Sequence, residues 1–283
     1  MTALVIYELF SASQLSRAKF GWSFVFTQTW NPVTGQFGAL PFLYGTVVTS
    51  LVGLLIAAPL GLGSAIFLSE LAPPRLSGAL AFVVELLAAV PSVIYGLLAL
   101  FVLTPLLRDP VEPWLKAWFG FLLIFQGPAY GVGFLAAGIV LAIMVVPFIT
   151  SVSRESLLAV PRDQQEAALA LGATRWEATW NVVLPYARAG IAGSMFLALA
   201  RALAETMAVT MVIGNDPKIR ESLFAPGYSI AAVIANEFTE AITNLHISAL
   251  IELGLVLFLI TFLMNGLGQL LMLVTSQTGS THA

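Results

Sequence analysis

Residues 166–185 read EAALALGATRWEATWNVVLP, a polar-faced segment that lies between apolar stretches long enough to cross a bilayer. Pro161 suits the first position of a short helix, and Gly172 suits the left-handed residue that follows a helix end. Thr174 and Glu177 have the spacing of a capping box, which predicts a second short helix. The segment therefore predicts two short helices joined by a hinge at a membrane surface.

Small side chains are concentrated in the first of these helices. Ala167 and Ala168 follow Glu166, so this helix offers a narrow surface that suits a groove on another protein. The alternative interpretation is an amphipathic helix that rests on lipid. Pro185 is expected to stop the second helix, because proline cannot continue the backbone hydrogen bonding. We therefore expect a docking element for a partner protein.

The composition is that of an integral membrane protein. Hydrophobic residues make up 59% and charged residues 10% of the 283 residues, whereas soluble domains carry roughly a quarter charged residues. A net charge of −3 gives no basic surface for nucleic acid, so nucleic acid is not expected as a partner. The chain has no cysteine, and His246 and His282 are far apart in sequence, so we expect no metal site and no cofactor.

Five stretches are long enough to span a bilayer, which needs about 20 apolar residues. The apolar run 3–10 is too short, and we interpret it as the tail of a truncated first helix rather than as a signal peptide. The sequence thus predicts an all-α membrane protein, a polytopic helical bundle. We expect a first segment 1–40, a transmembrane domain 41–276 and a tail 277–283. The five predicted stretches are 42–68, 77–107, 131–152, 189–213 and 248–275.

Two opposite charges lie four residues apart inside the fourth stretch. Arg201 and Glu205 would share one helix face with Ser194, Ala198 and Ala208 by their three- and four-residue spacing. Each central charge costs roughly 2.5 to 3.5 kcal/mol in a membrane, so such a pair usually marks a functional site. A guanidinium is suited to bind a tetrahedral oxyanion, and Glu205 would moderate that binding. The alternative is a purely structural pair that neutralises itself.

The second stretch contains a further set of polar residues. Glu85 precedes Pro91, which should bend the helix, and Gly96, which should allow another backbone to approach. Ser92 and Tyr95 offer hydroxyl groups that suit a polar pathway, and a simple packing kink is the alternative. We therefore take Glu85, Ser92 and Tyr95 as candidate pathway residues.

The spacing of Glu166-Ala167-Ala168, Gly172 and Leu184-Pro185 resembles the EAA loop of permease subunits in binding-protein-dependent ABC importers. Five further strings are similar to the PstC-type permease family of phosphate importers, and the string RALAET at 201–206 is the most specific part of the likeness. The resemblance implies the type I ABC importer permease fold. It departs from the family at the amino end, where relatives carry a full first helix. The five strings lie at 45–46, 59–63, 65–70, 85–96 and 200–209.

The resemblance also implies partners and an orientation. The chain has no Gly-Lys-Ser/Thr phosphate loop, so it is expected to catalyse no reaction itself. Counting basic residues leaves the orientation open, but the family places the loop 153–188, and with it the carboxyl terminus, in the cytoplasm of a bacterial cell with the chain in its inner membrane. The loops 108–130 and 214–247 would then be external. The implied partners are a second, PstA-like permease, two copies of a PstB-like cytoplasmic ATP-binding subunit, an external PstS-like phosphate-binding protein, and phosphate.

Three alternative functions remain open from the sequence. A permease for sulfate, molybdate or phosphonate would share the EAA loop and would also use Arg201. A secondary transporter should show inverted repeats, and none is evident. A membrane scaffold or sensor that transports nothing would keep the intramembrane charges for structure alone.

Overall fold

A computed structural model of the chain describes residues 2–277, and only the backbone of residues 271–277. The described residues form α-helices and connecting loops, and the only strand-like pairs among them are two isolated bridges. This confirms the all-α prediction, while the predicted tail 277–283 lies outside the described residues except for Gln277.

The first eight helices are α1 (Thr2–Ala12), α2 (Gln14–Phe20), α3 (Ser23–Phe26), α4 (Leu40–Ile66), α5 (Pro74–Ala88), α6 (Ser92–Leu98), α7 (Thr104–Leu106) and α8 (Glu112–Phe119). The others are α9 (Phe134–Leu158), α10 (Arg162–Ala170), α11 (Arg175–Ala178), α12 (Leu184–Ala204), α13 (Met207–Val212), α14 (Ile230–Glu237) and α15 (Asn244–Gln277).

Five helical stretches in the described part of the chain are long and apolar enough to cross a membrane. Each has between 25 and 32 residues, where about 20 suffice. Helix α1 is apolar but has 11 residues, which is too short to span. The prediction of five spans after a short first helix is therefore confirmed. The five stretches are Leu40–Leu71, Ser92–Phe119, Phe134–Leu158, Arg175–Ala204 and Asn244–Leu270.

The second predicted stretch, 77–107, is wrong as a single helix. Helix α5 ends before Pro91, whose backbone is extended, and α6 begins directly after it. Proline has no N–H to donate and therefore cannot form the backbone hydrogen bond that would continue α5, so the helix breaks before it. The spanning stretch is Ser92–Phe119 instead, and the first part of the predicted external loop 108–130 is therefore helical.

Wider helical turns of the π type let other prolines remain inside this span. One π-turn covers Ala99–Leu103 and lies just before Pro105, and a second covers Leu107–Val111 and contains Pro110. A π-turn inserts one extra residue and so relieves the clash between a proline ring and the carbonyl four residues earlier. The same residue type therefore ends one helix and is tolerated in the next.

The fourth predicted stretch, 189–213, is also interrupted. Helix α12 ends at Ala204, and α13 begins at Met207. Glu205 and Thr206 form the link, and the Glu205 side chain accepts a hydrogen bond at the start of α13. A side chain that caps a new helix favours a restart over a continuous helix. The predicted uninterrupted helix through Glu205 is therefore wrong.

The described chain divides into two compact units, each with residues from three parts of the sequence. Unit 1 comprises Met1–Gly53, Pro91–Leu141 and Leu203–Phe262. Unit 2 comprises Leu54–Val90, Ala142–Ala202 and the residues from Leu263 onward.

The core of unit 1 is built around aromatic side chains. Phe24, Phe37 and Phe42 are fully or almost fully buried in one cluster. Gly45 on α4 lets this helix touch the Tyr228 carbonyl group, because a Cβ atom at Gly45 would overlap the carbonyl oxygen. Burial of apolar aromatic surface and this close backbone approach together fix the first part of α4, up to Gly53, in unit 1.

A polar network borders the aromatic cluster of unit 1. The Glu237 carboxylate accepts a hydrogen bond from Trp30 Nε1 at 2.9 Å, and His246 Nε2 lies 3.0 Å from the same oxygen. Burial, with the nearby charges of Glu237 and Glu240, raises the pKa of Tyr228 to about 12. The Tyr228 hydroxyl therefore stays protonated at physiological pH.

The core of unit 2 joins the end of α4 to α9 and α12. Ala65, Leu157 and Val183 are buried in one apolar cluster. A buried hydrogen bond of 2.8 Å joins the hydroxyl groups of Ser153 on α9 and Ser194 on α12. Small polar residues of this kind hold helices close together where water is absent.

Candidate coupling loop and substrate pathway

The hinge of the polar loop has the predicted geometry. Gly172 follows α10 with a φ of 93°, in the left-handed region that favours glycine. The Gly172 N–H donates to the Leu169 carbonyl at 3.0 Å, and the Ala173 N–H donates to the Ala168 carbonyl at 3.1 Å. This pair of bonds is the Schellman motif, which ends a helix with a glycine. The predicted helix end at Gly172 is confirmed, and its role as a hinge stays a prediction.

The capping box at the start of α11 is also confirmed. Thr174 Oγ1 accepts a hydrogen bond from the Glu177 N–H at 3.3 Å. In return, Glu177 Oε2 accepts the Thr174 N–H at 2.8 Å. Two of the free amide groups at the helix start are thus satisfied by side chains within four residues of sequence.

Replacing Thr174 with alanine is expected to destabilise the start of α11 by about 1 kcal/mol, because an N-cap hydroxyl is lost. Amide hydrogen exchange of residues 175–178 should then accelerate about fivefold. Thr174→Ser keeps the hydroxyl and should exchange at the wild-type rate. Equal exchange rates in wild type and Thr174→Ala would contradict the role of the cap.

Two prolines near the loop differ from the prediction. Pro161 immediately precedes α10 instead of occupying its first position. Pro185 lies in the first turn of α12 and does not stop the second helix, because Arg175–Ala204 is one continuous helical stretch. The π-turn Thr179–Val183 ends two residues before Pro185 and accommodates the proline ring.

Most of the predicted coupling residues are open to their surroundings. Glu166, Ala167 and Gly172 are exposed, and Ala168 is half-buried. Leu184 instead packs against the apolar core of unit 2, and Pro185 beside it is exposed. Helix α10 therefore exposes Glu166 and Ala167, whereas Leu184 belongs to the apolar core of unit 2.

One contact of α10 was not predicted from the sequence. Gln165 Nε2 donates a hydrogen bond to Glu70 Oε2 at 2.6 Å, across 95 residues of sequence. Glu70 had appeared only as the last residue of a family-like string, and Gln165 carried no signal at all. Nothing in the local sequence pattern pairs residues at this separation.

Glu85 lies on the exposed side of α5 and lines a small cavity in unit 2. Thr150, Arg154 and Glu155 line the same cavity. Arg154 Nη2 lies 3.5 Å from Ser77 Oγ, at the limit of a hydrogen bond. The structure thus places Glu85 beside polar groups, and its role in a pathway stays a prediction.

Ser92 and Tyr95 lie on α6, which packs against α13 in unit 1. Gly96 permits this contact, as predicted, because a Cβ atom there would lie 2.6 Å from Met211 Sδ and 3.0 Å from Ala208 Cα. Tyr95 is buried, and Ser92 is half-buried in the first turn of the helix. The two hydroxyl groups therefore differ in accessibility.

Arg201 and Glu205 have different surroundings. The Arg201 guanidinium is exposed and lies 6.0 Å from the centre of the Phe148 ring. Glu205 Oε1 accepts a hydrogen bond from the Ala208 N–H at 3.3 Å. Because α12 ends between the two residues, the predicted shared helix face is wrong beyond Arg201. The earlier part of that face is right, since Ser194 and Ala198 are both buried.

The candidate pathway residues are divided between the units. Ser92, Tyr95 and Glu205 belong to unit 1, and Glu85 and Arg201 belong to unit 2. The residues that the structure describes contain no group of three or more His, Asp or Glu side chains placed to hold a metal ion.

Known proteins resemble the chain over most of its length. The family described as the binding-protein-dependent transport system inner membrane component matches residues 57–273. The phosphate transport system permease protein PstC of Mesorhizobium japonicum is 50% identical over 281 residues, which cover 98% of this chain and 86% of the relative. PstC of Xylella fastidiosa strain Temecula1 is 50% identical over 91% of this chain and 80% of the relative.

A solved structure supports the same fold at low sequence identity. A chain of the MetNI methionine ABC transporter, determined in inward-facing conformations, matches with a TM-score of 0.61 and 16% identity. The match covers 83% of this chain and 94% of the transporter chain. The type I ABC importer permease fold predicted from the sequence is thereby confirmed. The chain belongs to the binding-protein-dependent transport system inner membrane component family, and within it to the PstC permeases.

Proposed function

We propose that the chain is the transmembrane permease subunit of an ATP-driven importer of inorganic phosphate. The observation that carries the proposal is the 50% identity to a phosphate permease over 98% of the chain. The exposed α10 surface and the intramembrane Arg201 agree with this function, because an importer needs both a docking surface and an anion-binding group. The chain itself hydrolyses no ATP in this proposal.

The partners follow from the family. A PstA-like permease would complete the transmembrane pathway, and two PstB-like ATP-binding subunits would drive it from the cytoplasm. A PstS-like binding protein would deliver phosphate from outside. The loop 153–188 and the carboxyl terminus then lie in the cytoplasm, and the chain is a multi-pass protein of the bacterial inner membrane.

The exposed face of α10 would bind the ATPase. Glu166, Ala167 and Gly172 form the docking side and half-buried Ala168 lies at its border, because small side chains permit close approach of a partner groove. Closure of the ATPase dimer would then move α10 as a rigid element, since its Schellman end and the α11 cap are both fully hydrogen bonded. Leu184 and Pro185 would carry this movement into α12.

Arg201 would bind phosphate along the pathway. Its guanidinium is exposed and has donors in a planar fork that matches a tetrahedral oxyanion. Ser92 and Tyr95 would offer hydroxyl groups, and Glu85 and Glu205 would moderate the anion affinity by their negative charge. Moderate affinity is needed because a transported anion must also leave the site.

The test is uptake of radiolabelled phosphate at micromolar concentration in cells that lack this chain. Complementation with the wild-type gene should restore ATP-dependent uptake. Excess unlabelled phosphate should abolish the uptake of radiolabelled phosphate. Sulfate, molybdate or phosphonate at the same concentration as the unlabelled phosphate should leave that uptake unchanged.

The competitors separate this function from its alternatives. If sulfate, molybdate or phosphonate abolishes the uptake of labelled phosphate, the chain would be assigned to the import of another oxyanion. Uptake that persists after ATP depletion would indicate a secondary transporter. Normal uptake in cells without the chain would indicate a membrane scaffold or sensor.

A further inference from the structure

Helix α10 meets the rest of unit 2 through one side of its surface. Of its nine residues, Gln165 and Ala168 are half-buried and the other seven are exposed. Residues three apart lie on the same face of an α-helix. Gln165 therefore faces its own unit, while the opposite face is free for a partner.

Gln165 makes a strong contact on that side. Its Nε2 atom donates to Glu70 Oε2 at 2.6 Å, and both side chains are half-buried. A hydrogen bond to an ionised carboxylate is roughly twice as strong as a neutral one, and partial burial limits competition from water. This bond joins α10 to a part of the chain 95 residues earlier.

Glu70 lies in a π-turn, Phe67–Leu71, that continues the first membrane span. This turn is held from the other side as well. Ser77 Oγ donates to the Leu68 carbonyl at 2.6 Å, and Leu68 itself is buried. The carboxylate that receives Gln165 is thus part of a fixed end of the span rather than a loose loop.

We propose that Glu70 and Gln165 are positioning residues that connect α10 directly to the first membrane span. The inference rests on the proposed function, in which α10 binds the ATPase. The polypeptide links α10 to α9 on one side and to α11 and α12 on the other. The hydrogen bond adds α4, a span that does not adjoin the loop in sequence, so that α10 and the end of α4 move together.

The test replaces Gln165 with glutamate in the assembled importer in liposomes. Two carboxylates would then face each other, and their repulsion should break the contact. Phosphate uptake should fall about tenfold while ATP hydrolysis stays within about twofold of wild type, because docking is retained and transmission is lost. Combining Gln165→Glu with Glu70→Gln reverses donor and acceptor and should restore uptake.

A matched control lies outside α10. Gln14 is exposed at the start of α2, and Gln14→Glu makes the same change of charge away from the proposed docking surface and from Glu70. It should transport like wild type. Equal loss in Gln14→Glu and Gln165→Glu, or unchanged uptake per ATP in Gln165→Glu, would overturn the inference.

A second measurement does not depend on the substrate. The chain has no cysteine, so spin labels attach within it only at introduced cysteines, here in place of the exposed residues Gly63 on α4 and Leu171 after α10, and the partner subunits are prepared without cysteine. In wild type, the label distance should be the same with and without ATP, and in Gln165→Glu it should change on ATP binding. A wild-type distance that changes with ATP would contradict the connection, whereas absent phosphate uptake by the wild type would contradict only the proposed function.

Discussion

Arg201→Gln is expected to lower phosphate uptake about a hundredfold, because the loss of hydrogen bonds between a cation and an anion costs roughly 3 kcal/mol. The Arg201 side chain is exposed in this chain, so its loss should leave the folded chain intact. Arg201→Lys keeps the charge but loses the planar fork of donors, so phosphate uptake should fall about tenfold in this variant. The measurement is initial uptake at micromolar phosphate, with the amount of assembled importer determined in the same membranes.

Phe148 offers a control for a purely structural role of Arg201. The Arg201 guanidinium lies 6.0 Å from the Phe148 ring, a distance at which a cation and a ring attract weakly. If Arg201 served only to hold helices together, Phe148→Leu should impair uptake in the same way as Arg201→Gln. Wild-type uptake in Phe148→Leu together with loss in Arg201→Gln supports phosphate binding, and normal uptake in Arg201→Gln would contradict it.

Gly45→Ala is expected to destabilise unit 1 by about 3 kcal/mol, because an added methyl group would overlap a backbone carbonyl. That carbonyl belongs to Tyr228, and a backbone atom cannot rotate away as a long side chain can. The neighbouring Thr46 Oγ1 accepts the Ile230 N–H at 2.9 Å, so separating the two segments would also break a buried hydrogen bond. The measurement is the melting temperature of the detergent-extracted protein.

Gly63→Ala is the matched control for this prediction. Gly63 lies on the same helix, α4, and no described atom outside its own helix turn and chain neighbours lies within 4 Å of an added Cβ atom. Alanine is also the better helix former, so Gly63→Ala should be neutral or slightly stabilising. Equal melting temperatures for Gly45→Ala and Gly63→Ala would show that the close approach of α4 to Tyr228 does not limit stability.

The loop around Gly172 could be predicted in detail because its signals are local. A capping box needs Thr174 and Glu177 three residues apart, and a Schellman end needs a glycine at one position. Both motifs are complete within a few residues, so no distant neighbour can alter them. The same holds for the number of spans, which depends on apolar runs of sufficient length.

Span boundaries were harder to predict because four prolines lie in similar apolar surroundings. Pro59 and Pro147 lie inside continuous helices, Pro185 follows a π-turn, and Pro91 separates two helices. Whether a proline breaks a helix depends on what satisfies the freed carbonyl groups, and that is decided by packing. The shared face predicted for Arg201 and Glu205 is wrong for the same reason. That prediction assumes a continuous helix, whereas α12 ends at Ala204.

The Glu70 to Gln165 contact could not have been found from sequence pattern alone. Hydrophobic periodicity reports which face of a helix is buried but not which residue lies opposite it. Both residues are common polar types without a motif around them. Long-range pairs of this kind depend on how α4 and α10 are brought together by the fold, which a single sequence does not encode locally.

The π-turn Thr179–Val183 has a consequence for how this chain is aligned with its relatives. An α-helix rotates by about 100° for each residue, so one inserted residue offsets all later side chains by that angle. A helical wheel drawn through the whole of Arg175–Ala204 would therefore assign the wrong azimuth to every position beyond Val183, Arg201 included. In a relative that lacks this inserted residue, an arginine aligned with Arg201 without a gap would point in a different direction from Arg201. A correct alignment with such a relative would therefore place a gap inside the turn.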